Sequence, residues 1–493
     1  MLYIGIDLGT SSVKLLLMNE KGAILKTVSR EYPLFFPRAG WSEQNPEDWL
    51  RETAAGIREL TADVEKSEVA GIGCCGQMHG LVALDKDDRV IRPAILWNDG
   101  RTSEETNYLN TVIGRDKLSE YTANIAFAGF TAPKVLWVKK HEPENFAKIS
   151  KIMLPKDYIN YMLTGTFCTD VSDASGMLLF DVKNKRWSKE MLDVCGLKEE
   201  QLPQIFESAQ VVGTLKDGIA AELGLPNTVK VCAGAGDNAG AAVGTGTVGD
   251  GICNISLGTS GTIFITSKEF RVDPNNALHA FAHADGNFHL MGCMLSAASC
   301  NKWWQDNVIC SGDYAGEEAK IPEELLGKNR VFFLPYLMGE RSPINDTEAR
   351  GAFIGLSADT DRAAMRLAIL EGVAFAMRDS FEVAKSLGLN ITVSRICGGG
   401  AKSPLWRRIF ANVLNIDICT PETEEGPSYG GAILAAVACG ERKTVQQAST
   451  ELFKVKEMTS PEPELAALYE ERYKQFKQIY PTLKGLFPVL NKM

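Results

Sequence analysis

The chain opens with apolar stretches broken by short polar turns. LYIGIDL (2–8), VKLLLMN (13–19) and AILKTVSREY (23–32) read as strands, with GTSS and NEKG as the turns between them. Strands joined this closely pair antiparallel, so the expectation is an opening meander. Much later, ISLGTSGT (255–262) followed by the apolar IFIT repeats the design, offset by 249 residues when Ile6 is aligned with Ile255. Two similar openings half a chain apart point to an internal duplication into two α/β halves. Helical spacing is clearest at Ala363, Leu367, Leu370, Ala374, Met377 and Phe381, with Gly388 placed to stop the helix. A second helix is expected through Leu465, Leu468, Tyr469, Phe476 and Ile479, ending before Pro481. GTVGDG (246–251) interrupts two apolar strands and sets the expected division at 1–248 and 249–493.

At 493 residues the chain has room for several cores, and its 45% hydrophobic and 23% charged residues are those of a globular protein. The formal net charge of −10 argues against nucleic acid or an anionic membrane as partner. No apolar run is long enough to span a bilayer, and Asp7 interrupts what would be a signal peptide, so the expected location is the cytoplasm. The 12 cysteines contain no C-x-x-C pair and are read as reduced, buried side chains. His279 and His283 would share a face on a helix, but without an intervening glutamate a structural role is favoured.

Turns of glycine, threonine and serine bring backbone N–H groups and hydroxyls to phosphate oxygens. Alone, each is an ordinary β-turn; as a matched pair, Thr10, Ser11 and Ser12 in one half and Gly258 and Thr259 in the other can grip a polyphosphate from two sides. Asp7 stands where the second turn has Ser256, and a carboxylate beside phosphate calls for a cation, hence Mg²⁺. Lys14 adds positive charge on the following strand, and no P-loop motif is present. The triple glycine 398–400, between the strand ITVSRIC and a helical segment, suits a base and ribose at Gly399 and Gly400, or is simply a tight connection. Asp237, in GAGDNAG after the strand VKVCAG, is either a helix cap or the base that takes a proton from an alcohol during phosphoryl transfer, with Asn238 available to the substrate.

GIGCCGQMHG (71–80) carries a G-x-G-x-x-G pattern. A dinucleotide fingerprint must run from strand into helix. Here LVAL, the turn DKDD and RVI follow instead, which reads as strand, turn, strand, so His79 falls where a strand end meets the cleft.

These residues resemble the FGGY family of carbohydrate kinases. The resemblance rests on IDLGTSSVK, ISLGTSGT, GAGDNAGAAVGTG, YLMGERSP, ARGAFIGL, RLAILEGVAFAMRD and GGGAKSPLWRRIFANVL, and spans essentially the whole chain. GQMHG, WNDGR, GFTAPKVLW, TDVSDASGMLLFD and MLSAASCNKWW are similar to the members of that family acting on D-xylulose. The resemblance implies a duplicated actin-like (ribonuclease H-like) ATPase fold. Its first half would hold the sugar and its second ATP, with Mg²⁺ near Asp7 and Asp237. It further implies D-xylulose phosphorylated at its 5-hydroxyl, Met78, His79 and Trp97 at the sugar, and Asp237 as base. Thr10, Ser11, Ser12, Thr259, Gly399 and Gly400 would lie near the nucleotide, and relatives suggest a homodimer. Ala364 departs from the family pattern, where a polar or acidic residue is usual. A kinase of ribulose, gluconate or glycerol, an actin-like ATPase without a small acceptor, and a nicotinamide oxidoreductase resting on GIGCCG alone are the alternatives.

Overall fold

The computed structural model describes residues 1–423 and 425–492. The opening meander forms as expected: β1 (Leu2–Leu8), β2 (Ser12–Asn19) and β3 (Ile24–Glu31) pair antiparallel in sequence. β4 (Val69–Gly76) then adds parallel to β1, and β5 (Val211–Thr214) and β6 (Lys230–Gly236) complete a six-stranded sheet ordered β5-β6-β4-β1-β2-β3. GIGCCG is therefore an inner strand end with a turn after it, as its sequence pattern requires.

The second half repeats this wiring. β7 (Ile252–Leu257), β8 (Gly261–Ser267), β9 (His279–Ala282) and β10 (Phe288–Met294) are antiparallel neighbours. β11 (Val393–Cys397) adds parallel to β7, followed by β12 (Asp417–Pro421) and β13 (Val455–Thr459), in the order β9-β10-β8-β7-β11-β12-β13. In both halves an antiparallel meander is followed by a parallel crossover strand beside its first member. This is the duplicated actin-like architecture. HAFA (279–282) is strand β9 and His283 follows just beyond it, so His279 and His283 do not form the helical pair considered above.

The helices that matter to the site are α1 (Pro46–Leu60), α2 (Thr131–His141), α3 (Pro155–Thr164) and α4 (Asp237–Gly244) in the first half. In the second they are α5 (Arg362–Ser386), α6 (Pro404–Leu414), α7 (Gly426–Ala438) and α8 (Pro463–Leu483). Asp361 caps α5 through the N–H of Ala364, which places that departure from the family pattern in a capped first turn. α8 does not stop before Pro481 but runs two residues past it. A proline so near the C-terminal end removes a single ladder bond where the helix frays.

Alternation in β1 sorts its two faces. Ile4, Ile6 and Leu8 pack with Trp49 and Ile57 of α1, while Tyr3 packs with Tyr429 and Ile433 of α7. A second-half helix thus covers the first-half sheet. The approach is close enough that a Cβ on Gly5 would overlap the carbonyl of Ser428, and one on Gly73 that of Gly431. None of the twelve cysteines is in a disulfide, and eight are buried. Among the described residues no helix is long and apolar enough to cross a membrane.

Candidate active site

Both glycine-threonine hairpins are tied down from behind through their carbonyls. In the first, Gly9 C=O accepts from the Tyr32 hydroxyl and from Gln77 Nε2 at 3.3 Å, and Thr10 C=O accepts from Gln44 Nε2 at 2.6 Å. In the second, Gly258 C=O accepts from Ala298 N–H at 2.9 Å and Thr259 C=O from Ala297 N–H at 3.0 Å. Fixing the carbonyls on one side leaves the N–H and hydroxyl edge of each turn open, and Ser11, Thr259 and Ser260 are exposed. The Trp97 indole, itself 47% exposed, donates to Thr10 Oγ1 at 2.9 Å and so joins the WNDGR segment to the first hairpin.

Thr259, Gly399 and Gly400 come together on one cavity of about 440 Å³, completed by Ser299, Lys302, Tyr314, Glu318, Pro404 and Trp406 among others. The Trp406 side chain is fixed by its indole N–H on Leu370 C=O at 2.9 Å, and Gly400 lies against it. A flat wall beside bare glycine backbone suits an aromatic base. Thr10, Ser11 and Ser12 do not line this cavity.

Asp237 is the first residue of α4, directly after β6. Its Oδ1 accepts from Asn238 N–H at 2.7 Å and Asn238 Nδ2 at 2.9 Å, so the Asn238 amide is spent on the carboxylate and Oδ2 is left uncommitted. Burial raises the Asp237 carboxyl to about 6. Asp7 lies across from it on β1, raised to about 7 by burial first and then by the Asp237 charge, with Lys14 opposing. Lys14, opposite Asp7 in the β1–β2 register, pairs with Glu425 at 2.5 Å at the start of α7. Asp7 and Glu425 thus share Lys14, and Asp237 adds a third carboxylate facing Asp7. That surplus of negative charge beside an open hairpin fits a divalent cation.

Beneath Asp237, Met78 packs against Gly236 and Gly176, and a Cβ on Gly236 would press on its thioether. His79 follows with φ of 70°, a rare left-handed value for a residue other than glycine. Its carbonyl accepts from Lys134 Nζ and Thr131 Oγ1 of α2, both at 3.0 Å. Nδ1 lies 2.7 Å from Gly176 C=O, an acceptor, so the proton sits on Nδ1 and Nε2 remains a lone pair. Burial, aided by Lys134 and Arg341, holds this imidazole neutral, down to about 3. Lys134, equally buried, is brought down to about 7.

Sequence reasoning missed Glu425, Lys134 and Arg341 as members of this region. YLMGERSP and GFTAPKVLW flagged the segments of the last two, but nothing local assigned the side chains.

The FGGY family of carbohydrate kinases, N-terminal domain, matches residues 2–244, and the C-terminal domain of the same family matches 253–439. The xylulose kinase of Escherichia coli strain K12 is 39% identical, over 98% of this chain and all of its own length. A solved "xyloylose kinase" from Brucella ovis superposes with a TM-score of 0.94 at 40% identity, covering 99% of this chain and 100% of that one. A gluconate kinase from Lactobacillus acidophilus reaches 0.93 at 26% identity, with 99% of both chains covered. With both domains of the family matched across most of the chain and a relative 39% identical over its whole length, the chain belongs to the FGGY family of carbohydrate kinases.

Proposed function

We propose that this protein transfers the γ-phosphoryl group of ATP to the 5-hydroxyl of D-xylulose, giving D-xylulose 5-phosphate and ADP. The observation that carries the reading is Asp237, a carboxylate with one oxygen held by Asn238 and the other free, its basicity raised by burial and its position opposite the phosphate-side Asp7. The choice of D-xylulose is supported by the full-length likeness to proteins named for that substrate.

In the reaction, Asp237 Oδ2 accepts the proton of the sugar hydroxyl as its oxygen bonds to the γ-phosphorus, and the bond to the β,γ-bridging oxygen breaks with its electron pair leaving on ADP. His79 Nε2, a lone pair in a neutral ring, accepts a hydrogen bond from another sugar hydroxyl, while Met78 excludes water below the reacting oxygen. The two hairpins present N–H groups to the phosphates, and Gly399, Gly400 and Trp406 hold the adenine and ribose. Mg²⁺, for which Asp7 and Asp237 are the candidate carboxylates, supplies charge neutralisation on the phosphate oxygens when bound.

The structural likeness to a gluconate kinase makes gluconate the informative competitor. ADP release measured over D-xylulose, D-ribulose, gluconate and glycerol should give the highest kcat/KM with D-xylulose. A higher value with any other acceptor refutes the substrate assignment, and ADP release independent of every acceptor refutes the kinase reading.

A further inference from the structure

Arg341 belongs to the second half of the chain, yet its guanidinium lies over the ring of Phe127 from the first half, 4.9 Å from its centroid. Phe127 packs on Phe130, and Phe130 on the His79 imidazole at 4.7 Å, so the cation stands at the edge of the sugar-side aromatic wall. Its backbone is pinned from two directions. The N–H of Arg341 donates to Glu340 Oε1 at 2.7 Å, and the next residue, Ser342, donates to Cys293 C=O at 2.9 Å. Cys293 pairs with Thr262, at the start of the strand leaving the second phosphate hairpin. Asp237 and Arg341 both act on the Cys293 thiol. The guanidinium therefore lies between the phosphate end and the sugar end of the site.

Among the described residues Arg341 forms no ion pair. The His79 and His279 imidazoles beside it are neutral, and Lys134 is turned into the carbonyls of His79 and Gly129. The nearest carboxyl, Glu340, is raised to about 7 by burial and accepts from the N–H groups of Leu295 and Arg341, so it forms no ion pair with this half-buried guanidinium, and a neutral sugar supplies no anion either. A phosphoryl group arriving on the sugar oxygen does. We propose that Arg341 is a cross-lobe phosphoryl-binding residue, donating to the equatorial oxygens of the group in transfer and holding the resulting sugar phosphate.

This rests on the sugar-kinase reading above and adds the assignment of the cation to the phosphoryl group instead of to the sugar. As the sugar oxygen bonds to phosphorus and ADP departs, the negative charge on the transferred oxygens is met by a planar donor fork that the ground-state sugar does not use.

The test compares Arg341→Met and Arg341→Lys with the wild type. Steady-state kinetics is paired with calorimetric titration of D-xylulose and of D-xylulose 5-phosphate, and nucleotide affinity serves as the check on folding. The Met variant should lose about 10²- to 10³-fold in kcat with little change in sugar affinity, as expected when a transition-state donor is removed. Its affinity for the phosphate ester should fall about tenfold or more, and Lys should recover part of both because it keeps the charge without the fork. Equal weakening of sugar and sugar phosphate with kcat retained overturns the proposal. If the Met variant does not fold, unaltered phosphate-ester affinity and kcat in Arg341→Lys overturns it alone. A wild type that prefers another acceptor refutes the D-xylulose assignment only, and the same comparison is then made with that acceptor and its phosphate ester.

Discussion

Asp237 shows how one carboxylate is made both useful and costly. At neutral pH a group raised to about 6 is mostly ionised and more basic than an exposed aspartate. Asp237→Asn should lower kcat by about 10²- to 10⁴-fold, with nucleotide affinity in a binding titration unchanged. In the wild type, kcat/KM should decline as pH drops below about 6, where the base becomes protonated. The sign for stability is the reverse. Because the folded-state value lies above the unfolded one, the neutral form carries no penalty at low pH, and stability is lost as pH rises through about 6. Asp237→Asn should therefore raise the melting temperature at neutral pH by roughly 1–3 °C, with no gain near pH 4. Asp237, Asp7 and the two threonine turns were legible because their signals are local: glycines, a preceding strand and a repeated spacing. Glu425 was not. It lies in a run of acids that reads as solvated surface, and its partner Lys14 is more than 400 residues away.

Two elements, α4 and α7, begin at the site and run side by side beneath the first sheet. The close seat of α7 depends on missing side chains: a Cβ on Gly430 would overlap the Gly240 carbonyl of α4, and one on Gly73 of β4 the Gly431 carbonyl. Rigid backbone on both sides cannot yield as a side chain would, so Gly73→Ala should cost about 1–3 kcal/mol, read as a lower urea midpoint with an unchanged slope. An unchanged midpoint would mean that the sheet and helix are less closely seated than described. The opening strands and α5 followed from their periodicity. The seat of α7 did not, because GPSYGGAILAAVA is apolar on every side and a buried pattern names no neighbour. The HAFAH spacing did not settle its element for a related reason. A spacing of four also recurs on one face of a strand, and the tertiary partners decided: Asn124 of the first half accepts from Ala280 N–H at 3.2 Å and donates to its carbonyl at 2.9 Å.

Across the whole molecule, two sheets of like topology are joined by α7 beneath the first sheet, by the Lys14–Glu425 pair and by the Asn124–Ala280 bonds. The cavity lined by Thr259, Gly399 and Gly400 belongs to the second half, whereas Asp237 and His79 belong to the first, so the proposed transfer requires the halves to meet over both substrates and exclude water. The radius of gyration from small-angle X-ray scattering should shrink when D-xylulose and a non-hydrolysable ATP analogue are present together. An unchanged radius would argue for a site already closed.

The seat of α7 also bears on how the protein is born. β1 is translated long before the residues that cover one of its faces, 426–438. Until they emerge, a glycine-floored trough in the nascent sheet stays open to water and to stray apolar chains. Synthesis of this enzyme therefore includes a long interval in which its early half needs shielding, and a chain that ends before residue 426 cannot complete its own first layer.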